Sequence, residues 1–113
     1  PDMWVDAGVV AVLLDEPLAA LAELDAALER AQTGWGGLER AYLWRGHANA
    51  LLGREDAAVQ AWREGRLSAV APSAAWLHAR WLGRVSPAAR ARALDGAPDA
   101  LRRAVEEAVA TGS

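Results

Sequence analysis

The chain has 113 residues, a formal net charge of −3, 53% hydrophobic and 24% charged residues, and no cysteine. One compact domain fits that length, and the apolar content supplies a core, which sets aside a disordered tail, a disulfide framework and thiolate chemistry. Alanine occurs 28 times and leucine 15 times while Ile, Phe and Lys are missing, so strand formers are scarce and an all-α fold follows. Charge is segregated: residues 1–39 carry eight acids against Arg30, residues 40–92 carry nine arginines against Glu55, Asp56 and Glu64, and the remainder is weakly acidic. No apolar run reaches membrane-spanning length and no basic flank precedes a hydrophobic leader, so a cytoplasmic location is expected.

Start and stop signals divide the chain into short helices. Asp2 is expected to cap a helix over about 3–14, where Val5, Val9, Val12 and Leu13 share one face. Pro17 suits the first position of a second helix, about 17–31, with Leu18, Leu21, Leu24 and Leu28 at helical spacing. Thr33-Gly34-Trp35-Gly36-Gly37 breaks the pattern. A third helix over about 38–52 ends at Gly53, a suitable left-handed residue, and a fourth is predicted over about 55–70, stopped by Pro72. Ser73 is expected to cap a fifth helix, about 73–83, and Ser86-Pro87 to open a sixth, about 87–94. A last amphipathic helix covers about 97–110, and Thr111-Gly112-Ser113 is expected to fray.

A shift of 38 residues superimposes Trp4 on Tyr42, Gly8 on Gly46, Leu14 on Leu52, Ala20 on Ala58, Leu24 on Trp62 and Ala27 on Gly65. Each pair matches in size class, which marks repeated supersecondary units. A further shift of 34 carries Tyr42 onto Trp76 and Leu43 onto Leu77 but then places Arg80 on Gly46 and Arg92 on Ala58, so the third unit is degenerate. Small residues opposite large ones read as a packing code for close helix pairs.

Through Trp4-x2-Ala7-Gly8-x2-Ala11 with Ala20-x3-Leu24-x2-Ala27, and Tyr42-x2-Arg45-Gly46-x2-Asn49 with Gly53, Ala58-x3-Trp62-x2-Gly65 and Pro72, the chain resembles the tetratricopeptide repeat (TPR) family. Asp15 stands where the first unit's turn glycine belongs, Arg45 and Asn49 depart from the usual Leu and aromatic, and an insertion around Trp35 separates the units. The resemblance implies antiparallel helix hairpins stacked as a short right-handed α-solenoid of about seven helices, a single domain over 1–113. Its units are about 2–32, 38–72 and 73–95, with a capping helix over about 97–110.

It also implies a concave groove that takes a partner helix or peptide, lined by Val5, Val9, Val12, Arg40, Leu43, His47, Leu77 and Trp81, together with Asp2 and Ala50. A protein-interaction module, or a homodimer joined through the same groove, is the expected function. Val5, Val9 and Trp44 occupy the places where some relatives carry a carboxylate clamp, so that clamp is not expected. Intramolecular burial is the competing reading for the valines. Among the tryptophans, Trp4, Trp62 and Trp76 fit packing positions, whereas Trp35, Trp44 and Trp81 are the interface candidates.

Chemistry finds little purchase. His47 and His78 are the only side chains that titrate near neutrality in their ordinary state; they sit on different helices of the expected groove and belong to no metal-ligand motif. Asp15-Glu16 reads as a turn and helix start, and Ser68, Ser73 and Ser86 lack a nucleophile-elbow setting. No catalytic residue, cofactor or metal is implied. The alternative class is nucleic-acid binding, through Arg63, Arg66, Arg80, Arg84, Arg90 and Arg92 beside Trp76 and Trp81, against which the acidic total argues.

Overall fold

The computed structural model describes residues 1–112; Ser113 lies outside them. The described residues form seven α-helices and no strand: α1 Asp2–Leu13, α2 Pro17–Glu29, α3 Leu38–Leu51, α4 Glu55–Glu64, α5 Ala75–Leu82, α6 Pro87–Ala93 and α7 Asp99–Ala110. Single 3-10 turns at Leu67–Ala69 and Pro72–Ala74 connect α4 to α5. Helix α1 packs on α2 and α3 on α4, α3 sits beside α1, α2 and α5, and α7 closes over α5.

The small-opposite-large code appears as geometry. A Cβ on Gly8 would stand 2.6 Å from Cγ of Leu24, and one on Gly46 would overlap the Trp62 indole. Both contacts recur 38 residues apart, and both large partners are fully buried. Gly65 is equally constrained, since a Cβ there would lie 2.7 Å from the Leu43 backbone nitrogen. The repeat in the sequence is therefore a repeated helix-to-helix approach, in which absence of a side chain lets a bulky one fill the gap.

Turns carry the same register. Gly53 adopts φ +75°, as its place after α3 predicts, and Asp15, 38 positions earlier, adopts φ +60° without being glycine. Aspartate is among the few residues that tolerate this region, so the departure at Asp15 leaves the turn intact. Ser86 caps α6 as expected, its hydroxyl accepting from the Ala89 N–H at 3.1 Å.

Three expectations about helix ends are corrected. Helix α4 stops at Glu64 instead of reaching 70, because Gly65 abuts α3 and Arg66 turns left-handed at φ +57°. Asp2 does not cap α1; its carboxylate accepts from Nε1 of Trp35 at 2.9 Å, which ties the inter-unit insertion back to the first helix. Ser73 lies inside a 3-10 turn led by Pro72, so α5 begins only at Ala75.

Candidate functional site

The residues expected to line a groove divide sharply. Val5, Val12, Leu43, His47, Ala50 and Trp81 are enclosed by the chain's own core, Val9 is half-buried, and only Asp2, Arg40 and Leu77 are exposed. The spacing that aligns a groove face also aligns a packing face, and here helix pairs close over it. The tryptophans are redistributed in the same way. Trp62 is buried as expected, but Trp44 and Trp81 join it, while Trp76 is 69% exposed and Trp4 and Trp35 are half-buried.

His47 and His78 meet. From α3 and α5, His47 Nε2 and His78 Nδ1 approach to 2.9 Å, and Nε1 of Trp62 on α4 donates to His47 Nδ1 at 3.0 Å. The indole nitrogen can only donate, so Nδ1 of His47 carries no proton. Its proton is therefore on Nε2 and is donated to His78, whose own proton is left on its Nε2. Trp81 stacks on His47 with ring centres 4.6 Å apart, and Trp44 meets both His47 and Trp81 edge-on at 4.9 and 5.1 Å. Three helices thus converge on one aromatic cluster containing a one-way relay of neutral hydrogen bonds.

Burial depresses the pKa values of this pair. Removal from water pushes the His47 pKa well below its usual 6.5, with the neighbouring His78 adding to the effect, and burial lowers His78 as well. Geometry reinforces this: a proton added to Nδ1 of His47 would face the indole N–H, donor against donor. Both nitrogens of His47 are spoken for, so it has none to offer a substrate or metal. Among the described residues no group of three His, Cys, Asp or Glu side chains gathers as a metal site. The His–His approach was foreshadowed by their assignment to one groove. Trp62 was legible through Gly46, because an indole laid over that glycine brings its edge to the next residue, His47.

The charge segregation is partly annealed by folding. Arg40 of α3 pairs with Asp6 at 2.9 Å and Arg45 with Asp25 at 3.2 Å, joining the basic segment to the acidic first hairpin. Arg66–Glu39, Arg92–Asp56 and Arg63–Asp95 consume three more arginines, and Arg90 donates to the carbonyls of Leu82 and Val85. With Trp81 buried and Arg63, Arg66 and Arg92 exposed but ion-paired, Arg80, Arg84 and Trp76 are the exposed members of the nucleic-acid constellation that carry no ion pair among the described residues.

Apolar surface is concentrated on the outer side of the first hairpin. Met3, Ala7, Val10 and Leu14 follow i, i+4, i+7, i+11 spacing along α1 and its C-cap, and all four are exposed, Met3 at 73%, Val10 at 53% and Leu14 at 64%. Leu18, 66% exposed, continues the apolar surface just across the turn. Asp15 and Glu16 lie in the turn between Leu14 and Leu18 and Glu23 follows on α2, and none of the three forms an ion pair among the described residues. Comparison with family models, with curated proteins and with solved structures finds no match to this chain. No helix among the described residues is long and apolar enough to cross a membrane.

Proposed function

We propose that this chain is a non-enzymatic protein-interaction module, a short TPR-like stack of helix hairpins that receives an amphipathic partner surface with basic flanks. The observation that carries the reading is the exposed stripe of Met3, Val10, Leu14 and Leu18, bordered by the unpaired carboxylates of Asp15, Glu16 and Glu23. An isolated exposed leucine needs no explanation, but a row along one helix face is what helix-docking surfaces present. Docking is thereby assigned to the outer face of α1 and the start of α2, with Asp2, Arg40 and Leu77 the expected groove residues that stay exposed.

The test uses a designed helical peptide with a leucine face and arginine flanks, titrated against the chain by fluorescence anisotropy, with a scrambled peptide of equal composition as control. Saturable binding of the amphipathic peptide alone is expected. The variant Val10→Glu, at an exposed position, is expected to weaken it about tenfold or more while the helical circular dichroism stays unchanged. Equal binding by wild type and V10E would remove this assignment.

A further inference from the structure

A second exposed apolar patch lies on α5, beyond the second hairpin. Trp76 and Leu77 project to solvent from the same side as Arg80, with Arg84 just beyond the C-cap, while Ala75, His78, Ala79, Trp81 and Leu82 on the opposite arc are buried. Arg80 and Arg84 pair with no carboxylate among the described residues; Arg80 lies over the Trp81 ring at 5.5 Å. This patch and the α1–α2 stripe are opposite in charge: one is apolar with unpaired acids, the other apolar with unpaired arginines. Of the other acids without an ion pair among the described residues, Asp2, Glu55 and Glu64 accept hydrogen bonds from Trp35, Ser86 and Gln60, while Asp99, Glu106 and Glu107 share α7 with Arg102 and Arg103, so that helix is nearly balanced. Unpaired Arg54 stands at the α3–α4 turn.

Resting on the docking role given to α1–α2, we propose that its occupant is a second copy of this chain, which presents the Trp76-Leu77-Arg80-Arg84 face of α5. Trp76 would lie against Val10, Leu14 and Leu18, and the two arginines would meet Asp15, Glu16 and Glu23. An exposed indole with neighbouring arginines is the composition of an interface anchor, and opposite charge fixes which face meets which. Because the two faces differ and lie on different helices, the contact is heterologous. Each copy keeps one face unused, so association continues head to tail and grows with concentration.

Sedimentation of the full chain tests this, using V10E to disable the acceptor face and W76E to disable the donor face. V10S and W76S serve as second variants if a glutamate disturbs folding. Wild type is expected to exceed the 12.0 kDa of one chain as its concentration rises, more weakly as salt rises from about 0.05 to about 0.5 M. Each variant alone is expected to stay monomeric at the same loading. An equimolar mixture is expected to give a one-to-one pair and nothing larger, since only one acceptor face and one donor face survive in it. A wild-type chain that stays monomeric at low salt overturns the second copy as occupant, and the docking face then stands or falls by the designed peptide. A variant that associates like wild type, or a mixture that fails to pair, overturns the head-to-tail arrangement. If V10E alone associates normally and also binds the designed peptide normally, the α1–α2 docking role fails with it.

Discussion

At the scale of single residues, the informative groups are His47, His78 and Trp62. Their relay satisfies every nitrogen that faces inward only while both imidazoles are neutral, because the indole N–H sets the direction of donation. Between the lowered folded-state values and the ordinary 6.5, the unfolded chain binds more protons than the folded one, so stability rises with pH. The contribution is complete above about 6.5 and drains as pH falls through the folded-state values. Thermal unfolding followed by circular dichroism is expected to give a constant midpoint above neutrality and a falling one from about pH 6.5 to about pH 5, where ordinary carboxylates have not yet titrated. The slope is limited to about 1.4 kcal/mol per pH unit for each histidine, and His78→Asn is expected to reduce it. A midpoint indifferent to pH in that window would contradict the neutral relay.

At the scale of the helix pair, the two hairpins use one device with different partners. Gly8 receives Leu24 and Gly46 receives Trp62, at the same offset. A leucine can turn its branch aside, whereas the Trp62 ring is held by its hydrogen bond to His47 and by full burial. Adding a methyl at Gly46 therefore incurs an overpacking cost of about 1–3 kcal/mol against a helix-propensity gain of about 1 kcal/mol. Gly46→Ala is expected to lower stability in urea by more than Gly8→Ala, and to perturb tryptophan fluorescence as the indole is displaced. The reverse order would mean that the rings adjust more readily than their hydrogen bonds imply. Helix boundaries were less legible than helix existence. Gly65 follows Glu64 but fits the repeat equally well as a small packing residue inside a longer helix, and what makes it an end is the α3 backbone pressed against it.

At the scale of the whole molecule, α3 touches α1, α2, α4 and α5, and the histidine–tryptophan cluster joins α3, α4 and α5 at a single point. That connectivity predicts one cooperative unfolding transition, in which indole fluorescence and helical dichroism coincide. Two separated transitions would show the first hairpin melting apart from α5–α7. The ion pairs between Arg40 and Asp6 and between Arg45 and Asp25 tie α3 to the first hairpin but are largely exposed, so they add little to stability and serve to balance charge.

The all-α class, the helix order and the small-against-large pairing were determined by the sequence itself, because composition, capping signals and helical periodicity are local or repeat at a fixed offset. Which apolar face would be interior and which would meet solvent was decided only by tertiary structure. Val5, Val12 and Trp81 share helical spacing with groove linings, yet neighbouring helices cover them, while Trp76, at an expected packing position, is left outside. Periodicity marks a face as apolar; whether another helix arrives to cover it depends on where the chain turns, here the early stop of α4 and the late start of α5.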